Sequence, residues 1–251
     1  MPQPEPYRWI AKYYDHLFEF RRPFDTAHET IILPLLDQVT SACDLCCGTG
    51  TTALNFANLG IPTYAVDLSP EMCRQARAKA RKTGLPLRVI EADMRDFNLP
   101  HPVDLVTCEF DALNHVPRTS DLNRVLRSVH RALNPGGHFV FDVNTLYAFQ
   151  QIWNRTWVID KDPVVMIMRS SHKPGTRKAT ATVDWFIRQG KVWKRHQERV
   201  SEVCWDPQEM KDALTHAGFE KIRTWDAARF FNDALTLPGC RTFWRARKPA
   251  A

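Results

Sequence analysis

The chain has 251 residues, 44% of them hydrophobic and 25% charged, with eight Trp and fourteen Phe. That length suits one sizeable α/β core with an insertion, and that aromatic content excludes a disordered chain. The formal net charge is +6, but the basic residues are scattered. Arg74, Arg77, Lys79, Arg81 and Lys82 share one expected helix, and Arg241, Arg245, Arg247 and Lys248 lie near the end. Such runs read as solvated faces rather than a nucleic-acid track. The seven cysteines are odd in number and irregular in spacing, which argues against a disulfide framework. Cys43-x-x-Cys46 falls in an expected strand, where positions three apart face opposite ways, and no second pair completes a zinc site. No metal is expected. Residues 1–10 lack the apolar stretch of a signal peptide, and no apolar run reaches the ~20 residues of a membrane span. The expectation is a soluble, cytoplasmic protein.

Residues 1–40 read as helical and irregular, with an apolar face at Ile31, Ile32, Leu35 and Leu36. Strands and helices then alternate. Strands are expected at 42–47, 63–66, 87–90, 103–107 and 139–143. A helix over 51–59 ends at Gly60. The next has Ser69 as N-cap, Pro70 at its first position and Gly84 after its end. Leu122, Val125, Leu126, Val129 and Leu133 mark a third amphipathic helix, stopped by Asn134-Pro135-Gly136-Gly137. This alternation implies a parallel sheet with helices on both faces and a ligand site beyond the carboxyl ends of the strands.

The pattern changes after about residue 144. Residues 156–205 alternate aromatic and polar side chains, as in Val183-Asp184-Trp185-Phe186-Ile187-Arg188, and Gln189-Gly190 suits a hairpin turn. An antiparallel insertion is expected there. Asp206, Pro207 and Glu209 then open a capped helix, Gly218 ends it, and 221–225 and 242–247 read as two last strands.

Two stretches carry the chemistry. Asp44-Leu45-Cys46-Cys47-Gly48-Thr49-Gly50 leaves a strand and enters a helix, and its glycines allow a tight turn and close approach of a ligand. Asp67, seventeen positions after Gly50, ends the next strand and can accept hydrogen bonds from ribose hydroxyls. Together they point to a nucleoside ligand. The loop is no P-loop, since no Gly-Lys-Ser/Thr follows. A NAD site stays open on the glycines alone, with Ala53 at the third glycine position.

The first run resembles motif I of class I S-adenosylmethionine (SAM)-dependent methyltransferases through Asp44, Gly48 and Gly50, with Cys46 where many members have a glycine. Val66-Asp67-Leu68-Ser69 resembles motif II. Ala92-Asp93-Met94 resembles the adenine site, and Leu133-Asn134-Pro135-Gly136-Gly137 the loop before strand five. The resemblance implies a Rossmann-like, doubly wound, mostly parallel seven-stranded sheet with an antiparallel β insertion after strand five. It implies SAM as cofactor, with Asp67 on the ribose, Leu68 on adenine, Asp93 near the exocyclic amine and Met94 near the ring. Tyr13-Tyr14-Asp15 resembles the pair that folds over SAM in many small-molecule methyltransferases, so Tyr14 is expected at the SAM carboxylate. The implied organisation is a helical lid at 1–40, a SAM-binding core at 41–150, the insertion at 151–205 on the acceptor side, and completion of the sheet at 206–251.

Methyl transfer requires mainly alignment and exclusion of water, with a base where the acceptor must lose a proton. The run after strand four, Cys108-Glu109-Phe110-Asp111-Ala112-Leu113-Asn114-His115, should face the methyl group. Cys108 is expected beside the cofactor. His115 is the leading base by its pKa, with Glu109 and Asp111 as competitors. Trp153, Trp157, Trp185, Trp193 and Trp205 could hold a cationic or aromatic acceptor or form the insertion's own core. The expected activity is methyl transfer to nitrogen or oxygen of a small molecule. The alternatives are an RNA-modifying methyltransferase and a SAM-binding protein without activity.

Overall fold

Apolar runs separated by capped amphipathic helices account for most of the chain's elements. A computed structural model describes residues 7–17, 22–230 and 237–251. Residues 1–6 and 18–21 of the expected N-terminal lid, and 231–236 of the closing segment, lie outside the described residues. The chain enters through a 3-10 turn (Ala11–Tyr13), α1 (Tyr14–Leu17) and α2 (Arg22–Ile31). There follow β1 (Ala42–Leu45), α3 (Thr51–Asn58), β2 (Thr63–Asp67), α4 (Pro70–Thr83), β3 (Leu87–Glu91), β4 (Val103–Cys108), α5 (Thr119–Ala132) and β5 (Leu133–Asn144). After α6 (Leu146–Gln151) come β6 (Thr156–Lys161), β7 (Val164–His172), β8 (Lys178–Gln189) and β9 (Val192–Val203). The chain closes with α7 (Pro207–His216), β10 (Glu220–Asp226) and β11 (Arg241–Arg247).

One seven-stranded sheet has the order β10-β11-β5-β4-β1-β2-β3. The pairs from β5 through β3 are parallel, and β11 runs antiparallel to both its neighbours. This is the expected doubly wound, mostly parallel sheet. Strand order reverses between β4 and β1, so the crevice at their carboxyl ends is the place for a ligand. On one face, Val125, Leu126 and Val129 of α5 and Leu214 of α7 pack with Phe139, Phe141 and Trp244. On the other, Ala27, Ile31 and Phe56 pack with Leu105, Val140 and Phe243. Each such phenylalanine stabilises the fold by about 1.5–3 kcal/mol through burial.

The helix signals act as expected at α4. Ser69 Oγ accepts from the Met72 N–H at 3.4 Å, and Gly84 ends the helix with φ +69°. At α7, Asp206 Oδ1 accepts from Gln208 N at 2.8 Å and Glu209 N at 3.3 Å. Glu209 turns instead to Arg177, whose Nη1 donates to it at 3.0 Å.

The run 134–137 departs from its expected role as a stop loop. α5 ends at Ala132, and the backbone is already strand from Leu133. Leu133 pairs with Val103, and the β4–β5 register shifts between Val103 and Leu105 to absorb the extra residues. Gly136 N donates to Lys248 O at 3.1 Å, so the C-terminal segment pairs with this run.

The insertion is a four-stranded antiparallel sheet, β6-β7-β8-β9. Gln189 pairs with Val192 around Gly190, which has φ +64°. Val183, Trp185 and Ile187 alternate into its core as expected, together with Val164 and Met166. Ile10 and Leu17 complete that core, so the insertion and the N-terminal segment bury each other. Asp184, of opposite parity, is buried too. Arg169, Arg195 Nε (2.8 Å) and Gln197 Nε2 (2.9 Å) hold it. Among the described residues, no helix is long and apolar enough to cross a membrane.

Asp206→Ala removes two N-terminal bonds from α7 and should lower stability by about 1 kcal/mol. Urea unfolding should show this as a lower midpoint at unchanged slope.

Candidate active site

The backbone bends sharply as it leaves β1. Cys46 (φ +58°), Gly48 (φ +53°) and Gly50 (φ +79°) all take left-handed conformations. The bend opens a cleft of about 1090 Å³ at the carboxyl ends of β1 to β4. Of the expected cofactor residues, Tyr14, Cys46, Gly48, Asp67, Leu68, Asp93 and Met94 line it.

Asp44, Gly50 and Cys108 stand behind that lining. Asp44 is only 3% exposed. Its Oδ2 accepts from Ala53 N and its Oδ1 from Thr107 Oγ1, both at 3.1 Å, so it pins the start of α3 to β4. A Cβ at Gly50 would lie 3.0 Å from Ala76 Cβ, so this glycine lets α4 approach the loop. Cys108 is fully buried, and the neighbouring Cys46 and burial push its thiol pKa up.

A Cβ at Gly48, by contrast, would meet nothing within 4 Å. Its space belongs to the cleft. Asp67 Oδ2 accepts from Gly48 N and Oδ1 from Ser69 N, each at 2.8 Å. Each oxygen keeps one lone-pair direction for a ribose hydroxyl. Burial raises the Asp67 pKa, opposed by those backbone bonds. Leu68 is 61% exposed, an apolar surface suited to an adenine face. Asp93 is tied to Arg95 (Nε–Oδ1 2.9 Å), whose guanidinium holds its carboxyl below the usual range. These residues fit a nucleoside cofactor with a cis-diol. Bound there, SAM would supply a methyl group already activated by its sulfonium.

The N-terminal segment closes one side. Asp15 Oδ1 accepts from Thr49 Oγ1 at 2.6 Å, and Lys79 Nζ lies 2.6 Å from Asp15 Oδ2. Tyr7, which the sequence did not single out, lines the cleft beside Tyr14. Its N–H donates to Glu198 Oε2 at 3.1 Å, and its hydroxyl shares a hydrogen bond with His115 Nε2 at 3.3 Å.

The three expected catalytic residues are all close by, but each is already engaged. Glu109 bonds His28 and accepts from Thr52 Oγ1 at 3.0 Å. Asp111 Oδ1 accepts from Arg241 Nη2 at 2.6 Å. His115 bonds Tyr7 and the Ser201 backbone. Burial holds its pKa below the ordinary imidazole value, so it is neutral at pH 7. Arg241 also bonds Asp142, which accepts from Phe110 N (2.7 Å) and Asp111 N (3.0 Å). Burial pushes Asp142 up to about 6 despite Arg241.

Beyond this loop the cleft meets a second cavity of about 340 Å³. Tyr7, Tyr14, Phe110, Glu198 and Val200 line both. Trp153, Trp157 and Trp185 line the second cavity, as do Asp111, Glu202 and Arg241. Trp193 faces outward at 47% exposure, and Trp205 is buried with its Nε1 donating to Leu113 O at 3.1 Å. Three of the five tryptophans therefore line this cavity. Glu198 and Glu202 had a readable signal: they share parity with Val200 on the inward face of β9. His28 and Arg241 had none. Asp111, His115 and Glu202 have donor atoms within 4.8 Å of one another. The guanidinium on Asp111 makes this a poor place for a divalent ion and a better one for an organic cation.

Gly50→Ala should cost roughly 2–4 kcal/mol, from positive φ and the contact with α4. Gly48→Ala should cost about 1–2 kcal/mol and chiefly weaken cofactor binding. Urea unfolding and calorimetric titration of the two variants check the contrast.

Residues 42–137 match the family model of a methyltransferase domain. A Bacillus subtilis (strain 168) protein, YqeM, which carries a provisional methyltransferase name, is 25% identical over 244 residues, covering 96% of this chain and 97% of that protein. The crystal structure of a SAM-dependent methyltransferase from Clostridium acetobutylicum superposes with a TM-score of 0.82 at 26% identity, covering 97% of this chain and 99% of that one. The sugar N-methyltransferase KedS8 from Streptoalloteichus shares the fold, with a TM-score of 0.69 at 22% identity over 84% of this chain and 81% of that one. The glycine loop, the half-buried Asp67 at the end of β2 and this end-to-end likeness converge on a methyltransferase domain of the SAM-dependent type at residues 42–137.

Proposed function

We propose that the chain methylates a nitrogen of a small-molecule amine. The observation that carries this reading is the second cavity. It is of small-molecule size, it opens onto the cofactor cleft, and its walls join aromatic rings to carboxylates. Trp153, Trp157, Trp185, Tyr7 and Tyr14 offer faces that attract a cation, and Asp111, Glu198 and Glu202 supply negative charge. Arg241 is its one basic lining residue among those described, and it is bonded to Asp111 and Asp142. An alcohol acceptor would leave that charge uncompensated. An RNA acceptor is too large for the cavity as it stands. That a sugar N-methyltransferase shares the fold agrees with this reading without carrying it.

In this reading Tyr14 lies between the two ligands. His115 and Tyr7 form a wall that positions the acceptor and excludes water. The in-line alignment of nitrogen and methyl group supplies most of the acceleration.

The test incubates the protein with SAM labelled in its methyl group and a metabolite extract, read by mass spectrometry. Labelled products should be N-methyl amines. Labelled products that are exclusively methyl ethers or esters would refute the nitrogen assignment. Asp67→Ala should weaken SAM binding by ~10–100-fold, through loss of charge-assisted bonds to the ribose.

A further inference from the structure

Three carboxylates and one guanidinium meet where the two cavities join. Asp142 is fully buried, Glu202 is 5% exposed, and Asp111 is half-buried. Arg241 is bonded to Asp111 and Asp142 and not to Glu202. With all four ionised the cluster would carry a net charge of about −2 in a desolvated setting, which is costly without a further cation or a proton. Asn144 Nδ2 donates to Glu202 Oε2 at 3.2 Å. The Glu202 and Asp111 carboxylates also lie within 4.8 Å of each other, close enough for one proton held by the pair to relieve their repulsion. Both line the acceptor cavity, and His115, within the same 4.8 Å, lines the cofactor cleft.

From this geometry we infer that Glu202 is the group that binds the acceptor's ammonium and takes its proton, in place of His115. The inference rests on the amine reading above. Without acceptor, the Glu202–Asp111 pair keeps its shared proton. An entering ammonium displaces that proton to solvent and takes its place between the carboxylates. Glu202 then accepts one N–H proton, which frees the nitrogen lone pair. The lone pair forms the new N–C bond as the carbon–sulfur bond breaks and its electrons return to sulfur. The product nitrogen carries the positive charge, and the proton now on Glu202 restores the pair's shared proton as the product leaves. Charge and protons balance, with one proton released per turnover.

Burial, then Asp111, raise the Glu202 pKa well above the ordinary glutamate value, while Asn144 and Arg241 oppose the rise. Its carboxylate must be ionised or displaced for the acceptor to enter. The acid limb of the rate should therefore lie above the usual carboxylate range and rise with pH. The other titratable groups near it are Tyr7 and His115, with Glu198 in the same wall and Asp142 bonded to Phe110 N.

The test is calorimetric titration of the protein, saturated with demethylated SAM, with benzylamine and with its neutral counterpart benzyl alcohol. Measurement in two buffers of different ionisation enthalpy counts protons. The wild type should prefer the amine and release about one proton per amine bound. Glu202→Gln should bind the amine at least about tenfold more weakly, release no proton, and bind the alcohol as before. His115→Gln should keep the proton release. Glu202→Asp should keep it at reduced affinity, and unchanged SAM binding in each variant shows that the fold is intact. If Glu202→Gln retains both the amine preference and the proton, the assignment is overturned while the amine reading stands. If the wild type itself does not prefer the amine, that reading fails and the assignment with it.

Discussion

Arg241 is the contact on which the site depends. It opens β11, the reversed strand of the main sheet, and reaches Asp142 on β5 and Asp111 in the loop after β4. Asp142 in turn accepts the backbone N–H groups of Phe110 and Asp111, which hold that loop in left-handed conformations at φ +58° and +51°. The first residue of β11 thus fixes the loop after β4. Breaking a buried pair of this kind costs about 3–5 kcal/mol, because the remaining charge has nowhere to go. The same arrangement leaves three carboxylates facing one guanidinium, and that excess of negative charge gives the second cavity its chemical character.

The two ligand sites come from different parts of the chain. The glycine loop, Asp67 and Asp93 belong to the parallel sheet and its switch point. The roof belongs to β7, β8 and β9, whose inner face also buries Ile10 and Leu17. Tyr7 links the three parts, with its N–H on Glu198 of β9 and its hydroxyl on His115 after β4. The entry segment is tied to the cofactor loop as well, through Asp15, Thr49 and Lys79. Burial raises the Asp15 pKa, but the Lys79 and Thr49 bonds outweigh it, so this tie stays ionised well below neutral pH.

Local signals made the sheet and its cofactor edge legible. Ser69, Pro70 and Gly84 mark a helix by chemistry that acts within one turn, and Gly48 and Asp67 are close in sequence to the elements they serve. The insertion was legible through strict alternation, as at Val183, Trp185 and Ile187. What sequence reasoning missed depends on long-range contact. Arg241 and Asp111 are 130 positions apart, and nothing near Arg241 distinguishes it from the surface arginines that follow. Asp44 matched its motif, yet it proved to be a brace for α3 rather than a lining group, because its two oxygens meet Ala53 and Thr107. Glu109, Asp111 and His115 fall, as their spacing implies, in the segment that follows β4. Their partners, not their identities, decide what they can do.

We propose that the cofactor cleft and the second cavity, which share Tyr7, Tyr14, Phe110, Glu198 and Val200, form one chamber joined at a negatively charged cluster. The most direct measurement is a crystal structure of the protein with demethylated SAM and benzylamine bound together. The benzylamine nitrogen should lie within hydrogen-bond distance of Glu202 and its ring against Trp185, with the nitrogen facing the cofactor's sulfur. Benzylamine bound elsewhere, or with its nitrogen turned away from Glu202 and the sulfur, would contradict it.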